Sequence, residues 1–138
     1  MTTPAPLDPM ATGNDILLLQ EIKQALVQLI NTGDEHLINI HTLPLSPAEH
    51  QNLLQWLGDG EVHAHLTALG GSDIRETAIA GVWLTTHRNA EGEIATQFIE
   101  ITRIPGILQS QTDDMKAGLL QLQQQLESIN PPSLPGVN

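Results

Sequence analysis

Two of the chain's six histidines are the first candidates for chemistry, because they share one predicted strand. Residues 61–69 alternate polar and apolar side chains, which puts His63 and His65 on the same face. Their imidazoles could bind one metal ion, with His87 or Glu76 as third ligand. An alternating strand also turns polar side chains outward without any ligand, and nothing fixes a third ligand here. We therefore expect no resident metal and no cofactor.

Glu76 and Glu100 are the second candidates. Both are expected on an apolar face of the predicted central hairpin, where an unpaired carboxylate is costly to bury. They are therefore paired with a base, exposed in a groove, or evidence against the expected register. Paired carboxylates could serve acid–base chemistry, but no pocket-forming motif accompanies them. The sequence also lacks a phosphate loop, a serine nucleophile elbow and an HExxH motif, so we expect no catalytic residue and no enzyme.

Composition narrows the function classes further. The net charge is −11 with five basic residues, and these form no cluster, so nucleic acid and anionic membranes are poor candidate partners. The absence of cysteine excludes disulfides, a cysteine nucleophile and thiolate metal sites within this chain. The N-terminus does not resemble a signal peptide, and no apolar run approaches the roughly 20 residues of a membrane span. We therefore expect a soluble, cytoplasmic protein.

The elements that would position these residues centre on a hairpin over residues 72–105. It is predicted as two long strands joined by a turn at 89–92, in which Asn89 opens the turn and Gly92 supplies a positive φ. If Asn89 and Glu93 close the turn, the register follows by counting. The predicted pairs are Trp83 with Ile99, Leu84 with Phe98, Val82 with Glu100 and Gly81 with Ile101.

Helical and strand periodicities around the hairpin predict an α+β domain. Helices are predicted from a cap at Asn14 or Asp15 to Gly33, from Ser46, which forms a capping box with Glu49, to Gly58, and after residue 110. Strands at 35–41 and 61–69 join the hairpin in a mainly antiparallel sheet of about four strands with about three helices. Residues 14–130 are expected to form a single domain between a disordered tail over 1–13 and a tail over 131–138. The last helix carries an apolar stripe of Met115, Leu119, Leu122, Leu126 and Ile129.

The predicted hairpin is apolar on both faces, and three helices are few for covering both. A partner would cover the remainder, since large exposed apolar patches usually mark interaction sites. The candidate partner-binding residues are Glu76, Trp83, Glu100 and Arg103. Trp83 is the ambiguous member of this set, because an aromatic ring in a strand is more often core than contact.

Several short sequence runs follow one another in a specific order along the chain. They are Leu43-Pro44-Leu45-Ser46-Pro47-Ala48-Glu49, Leu57-Gly58, Gly60-Glu61-Val62, Ile74-Arg75-Glu76-Thr77, Gly81-Val82-Trp83, Ile99-Glu100-Ile101 and Ile104-Pro105. This combination resembles the C-terminal conserved region of the HupH/HyaF hydrogenase expression proteins. The resemblance covers roughly residues 43–108.

The resemblance implies a role in the maturation of a NiFe hydrogenase, as an accessory protein acting on the small subunit. Two functions stay open: a binding module or chaperone for the hydrogenase small-subunit precursor, and a protein of the same pathway that handles nickel or iron through its histidines. The expected partners are that precursor or other maturation proteins, with a homodimer as a further possibility. No nucleic acid and no membrane is expected as a partner.

Overall fold

A computed structural model describes residues 12–68 and 70–129. The chain divides into two compact units, residues 1–105 and 106–138. The first unit contains α1 (Asn14–Thr32), β1 (His36–Asn39), α2 (Pro47–Leu57), β2 (His63–Leu66), β3 (Ser72–Glu76), β4 (Val82–Arg88) and β5 (Ile94–Ile101). The second contains a short 3-10 helix (Gly106–Leu108) and α3 (Thr112–Ile129).

The strands form one antiparallel sheet in the order β1-β5-β4-β3-β2. The α+β class is confirmed, but the described residues form five strands where about four were predicted. The difference arises at residues 77–81, where the predicted first strand of the hairpin folds back on itself. The Thr77 hydroxyl donates to the carbonyl oxygen of Val82 at 2.9 Å, and Gly81 takes a φ of 86°, which favours glycine.

The turn of the β4–β5 hairpin is confirmed, because Asn89 donates its N–H to the carbonyl oxygen of Glu93 at 2.9 Å. Arg88 then lies opposite Ile94, but the pairing shifts by one residue between Arg88 and His87. Ala95 is the extra residue, and it forms a β-bulge.

Every predicted pair beyond the bulge is therefore wrong by one position. Trp83 was predicted beside Ile99, Leu84 beside Phe98, Val82 beside Glu100 and Gly81 beside Ile101. The structure instead pairs Trp83 with Glu100, Leu84 with Ile99, Val82 with Ile101 and Thr85 with Phe98. A shift of one residue turns each side chain of β5 to the other face relative to β4.

With the observed register, the core residues and the candidate site lie on opposite faces of the sheet. The helix face of the sheet is the face on which α1 and α2 pack. It contributes Ile38, Val82, Leu84, Ile99 and Ile101 to the hydrophobic core, together with Leu18, Ile22, Ala25 and Leu29 of α1 and Leu53 and Leu57 of α2. The far face is the opposite one, and it carries Trp83, Phe98, Glu100 and Glu76 by the alternation of the strands.

The start of α1 differs from the expectation that Asn14 or Asp15 caps it. Gly13 is the N-cap residue, and its N–H donates to the carboxylate of Glu49 at 2.9 Å. Glu49 also belongs to the predicted capping box of α2 with Ser46, which is confirmed. One buried carboxylate therefore serves the N-termini of two helices.

The predicted tails, 1–13 and 131–138, lie outside the described residues except for Thr12 and Gly13. The interpretation of residues 14–130 as a single domain stays a prediction. Among the described helices, none combines the length and the apolar character needed to cross a bilayer.

Candidate functional site

Three of the four candidate partner-binding residues lie in one line across the far face. Glu76 of β3 is opposite Trp83 of β4, Trp83 is opposite Glu100 of β5, and Glu100 is opposite Leu37 of β1. We call these four residues the cross-strand row. Sequence reasoning placed Glu76 and Glu100 on one face correctly, but on the face of Val82 and Leu84 instead of that of Trp83.

Trp83 is the fixed centre of the cross-strand row. Its side chain is buried, with 5% exposure, and its indole N–H donates to the carbonyl oxygen of Thr102 at 3.1 Å. A buried indole with a satisfied N–H holds its place in the packing of the sheet. Most of the contact area in the row therefore belongs to its neighbours.

Glu100 is half-buried at one wall of a cavity of about 170 Å³. Burial raises the pKa of its carboxyl above the ordinary value, and the nearby charge of Glu35 adds to that shift, while His87 opposes it. Glu35 accepts a hydrogen bond from the hydroxyl of Thr102. The other residues that line the cavity are His36 and Leu37.

Glu76 and Arg103 lie at the margins of this arrangement. Glu76 accepts a hydrogen bond from the N–H of Gly81 at 3.2 Å, so its carboxylate helps to hold the turn between β3 and β4. Arg103 follows β5 and is exposed. Glu76 and Glu100 are two strand spacings apart, about 10 Å at the backbone, with Trp83 between them. The row therefore holds the two carboxylates on either side of a buried indole.

The histidine cluster forms on the helix face. His63 Nε2 and His65 Nδ1 both lie near Asp73 Oδ1, at 3.2 Å and 3.0 Å. The hydrogen bond with His65 is the main cause that lowers the pKa of Asp73, partly offset by burial. Arg88 Nε lies 3.9 Å from the other oxygen of that carboxylate.

The two residues considered as a third metal ligand, His87 and Glu76, do not lie beside the histidine cluster. Each is adjacent in its strand to a helix-face residue, so its own side chain lies on the far face. His87 instead forms a hydrogen bond with Ser72 at 2.6 Å and packs its ring edge-on against Phe98. Within residues 12–68 and 70–129, no group of three His, Asp or Glu side chains has the arrangement of a metal site.

Sequence reasoning missed Glu35 and Leu37, which complete the Glu100 cavity. Both fall in the predicted strand 35–41, at alternate positions, so they were available as far-face candidates. The missing information was the strand order, because only the pairing of β1 with β5 brings them beside Glu100.

The helix α3, taken by itself, carries the apolar stripe that its sequence predicted. Its stripe residues are 52–80% exposed: Met115, Leu119, Leu122, Leu126 and Ile129. Stripe positions are separated alternately by four and three residues, as on one face of a helix. This is the largest group of exposed apolar side chains on one described element.

Comparisons with known proteins agree with the fold and its motifs. The family described as HupH hydrogenase expression protein, C-terminal conserved region, matches residues 13–129. The hydrogenase expression/formation protein HoxQ of Azotobacter vinelandii is 30% identical over 95 residues, which cover 67% of this chain and 34% of the relative. HupQ of Azotobacter chroococcum mcd 1, described in the same words, matches with the same identity and coverage. The chain thus spans about a third of the length of these curated relatives.

A solved structure extends the similarity to three dimensions. The hydrogenase expression protein HupH from Thiobacillus denitrificans ATCC 25259 superposes with a TM-score of 0.80 at 39% sequence identity. The superposition covers 85% of this chain and 98% of that one. With the family match over residues 13–129, these similarities show that the chain belongs to the HupH hydrogenase expression protein family, through its C-terminal conserved region.

Proposed function

We propose that this protein is an accessory protein of NiFe hydrogenase maturation that binds the precursor of the small subunit as a binding module or chaperone. The names of its relatives, hydrogenase expression/formation proteins, support the pathway. The observation that carries the binding role is the cross-strand row, which joins two carboxylates to the exposed side chain of Leu37 on one face. The proposed role requires no catalysis, and its proposed location is the cytoplasm, where precursors are synthesised.

The row combines the two properties of a selective protein-binding surface. Leu37 is 56% exposed and offers apolar area, while Glu100 and Glu76 offer negative charge at fixed positions. Charges of this kind set the register of a complex and reject partners of like charge. Arg103, exposed after β5, adds one positive group three residues after Glu100 along the chain.

In this proposal Trp83 has a structural role and does not contact the client. Its burial and its hydrogen bond to Thr102 fix β4 relative to the chain that follows β5. The residues proposed to touch the client directly are Leu37, Glu76, Glu100 and Arg103. Substitution of Trp83 would act on binding through the fold.

Pull-down with separately produced hydrogenase subunit precursors tests the proposal. We expect the small-subunit precursor to be retained and the large-subunit precursor not. Glu100→Gln or Glu76→Gln, which keep shape and remove charge, should weaken retention without lowering the melting temperature. Glu91→Gln, in the exposed β4–β5 turn, is the matched control.

The outcomes separate the alternatives. If neither subunit is retained by the wild-type protein, the proposed function is wrong. If the small subunit is retained equally by both variants, the client surface lies elsewhere, and Leu119→Gln with Leu126→Gln tests the stripe of α3. Light scattering on the same samples distinguishes a monomer from the homodimer.

Metal handling remains the second candidate function because two imidazoles converge on one carboxylate, that of Asp73. Calorimetric titration with nickel or iron discriminates it from client binding. Stoichiometric binding that His63→Ala and His65→Ala together abolish would favour metal handling. Binding of the precursor that persists in the same double variant would favour the binding module.

A further inference from the structure

The apolar stripe of α3 is exposed along its whole length. Its members are 52–80% exposed, and none of the described residues of α3 is buried. A helix of 18 residues is only marginally stable alone in water, and helices in proteins gain most of their stability by packing an apolar face. The stripe therefore marks a surface that a partner covers.

The spacing of the stripe indicates that this partner is a helix. Successive stripe residues are separated by four, three, four and three residues, which is the heptad period of 3.5. In heptad notation Leu119 and Leu126 occupy a positions, and Met115, Leu122 and Ile129 occupy d positions. Each side chain of such a seam fits between four side chains of a facing helix that has the same period. A second copy of α3 has that period by identity.

The charges of α3 favour a second copy of this chain as the partner. None of its three acidic residues lies beside the seam, because Asp113 and Glu127 occupy b positions and Asp114 a c position. The e and g positions that flank the seam are basic or uncharged: Lys116, Gly118, Gln123 and Gln125. Two copies can thus approach along this seam without like charges facing each other, although the chain has a net charge of −11.

An antiparallel arrangement adds favourable charge pairs. In that direction a positions pack against d positions, so Leu119 lies level with Leu122 of the second copy. Lys116 and Glu127 lie on the same flank of the stripe, and Lys116 then lies within about 3 Å, along the helix axis, of Glu127 of the second copy. The two-fold symmetry forms this pair twice, and the opposed helix dipoles attract. We propose that α3 pairs antiparallel with α3 of a second copy along its apolar stripe.

This inference goes beyond the proposed function and does not depend on it. It assigns the interface of a homodimer, whereas the proposed client surface is the cross-strand row of the first unit. The experiments below use the purified full chain without any client. Their failure is therefore distinguishable from a failure of client binding, which the pull-down measures.

Analytical ultracentrifugation over a series of protein concentrations measures the dissociation constant of the dimer. Leu122→Gln removes an apolar side chain from the seam in both copies, and we expect it to raise that constant by about a hundredfold or more. Leu120→Gln is the matched control, because Leu120 is 57% exposed against 52% for Leu122 but occupies a b position away from the seam. The control should leave the constant nearly unchanged. A wild-type protein that stays monomeric, or equal weakening by the two substitutions, overturns the proposal.

The absence of cysteine from the chain permits a disulfide test of the direction. Met115→Cys and Leu126→Cys should each form little intermolecular disulfide alone, but a mixture of the two should form it readily under mild oxidation, since the two positions lie level in the antiparallel pair. A mixture of Ala117→Cys and Gln124→Cys is the control, because these positions are also level but lie on the outer side of the helix. Ready disulfide formation by Met115→Cys alone would show a parallel pair and contradict the proposal.

A charge exchange tests the pairing of Lys116 with Glu127. Lys116→Glu or Glu127→Lys alone places like charges opposite each other twice in the dimer, and each should raise its dissociation constant about threefold to tenfold. The double variant restores opposite charges and should return the constant towards that of the wild type. A double variant that dissociates as readily as the weaker single variant would overturn the antiparallel pairing.

Discussion

Glu49 accepts a hydrogen bond from the main-chain N–H of Thr12 at 3.0 Å, and this contact ties the start of α1 to the start of α2. The same carboxylate accepts the N–H groups of Gly13 and Ser46. Hydrogen bonds to a charged acceptor favour the charged form. The bond from Ser46 is the largest cause, and the pKa of Glu49 is lowered from 4.5 to about 2 against the opposing effect of burial.

The first prediction concerns acid stability. A carboxylate whose pKa is lower in the folded state contributes stability above its unfolded pKa and loses it as the pH falls. The contribution of Glu49 should therefore be complete above about pH 4.5 and lost progressively towards pH 2. Glu49→Gln should lower the free energy of unfolding at pH 7 and flatten its fall across this window. Denaturant titrations at a series of pH values measure both effects.

A matched control variant tests whether the acid effect is specific to Glu49. Glu91→Gln changes the same charge in an exposed turn and should leave the acid profile unchanged. If Glu49→Gln and the wild-type protein lose stability in parallel below pH 4.5, other carboxylates dominate the acid transition.

The second prediction concerns Trp83. Trp83→Phe keeps an aromatic ring but removes the indole N–H, which leaves the Thr102 carbonyl without this donor. An unsatisfied buried acceptor costs about 1–3 kcal/mol, so thermal unfolding should shift to lower temperature by several degrees. Trp56→Phe is the control, because Trp56 is 67% exposed and should be nearly neutral. Equal melting temperatures for the two variants would contradict the structural role of Trp83.

The third prediction concerns the turn that divides the expected long strand. Gly81 has a φ of 86°, a conformation that costs an L-residue about 1–2 kcal/mol. Gly81→Ala should therefore lower the free energy of unfolding by about that amount. Gly106→Ala is the comparison, since an added Cβ there meets nothing within 4 Å. Stability of Gly81→Ala equal to that of the wild type would show that the turn relaxes without cost.

Local signals in the sequence were sufficient to predict the start of α2 and the turn of the β4–β5 hairpin. The capping box of Ser46 and Glu49 and the turn that begins at Asn89 both form as predicted. Each depends on residues a few positions apart, whose chemistry determines the backbone locally.

The register failed because it depends on information that is not local. The bulge is at Ala95, a residue type that does not by itself predict a β-bulge. Both faces of the hairpin carry large apolar side chains, so alternation could not correct a slip of one residue. The candidate site was predicted incompletely for the same reason. Glu76 and Glu100 were identified from the sequence, but Glu35 and Leu37 could be identified only once the pairing of β1 with β5 was known.

The last prediction concerns Glu100, whose pKa is raised chiefly by burial and then by the charge of Glu35. A raised pKa means that the folded state binds the proton more readily than the unfolded state, so stability falls as the pH rises from the ordinary pKa of 4.5 through the raised one. Glu100→Gln removes that loss, and we expect its melting temperature at pH 7 to equal or exceed that of the wild type. Glu35→Gln should lower the pKa of Glu100 in an NMR titration, whereas Glu91→Gln, in the exposed β4–β5 turn, should not. A Glu100 pKa that is unmoved by Glu35→Gln would show that the charge of Glu35 does not contribute to the shift.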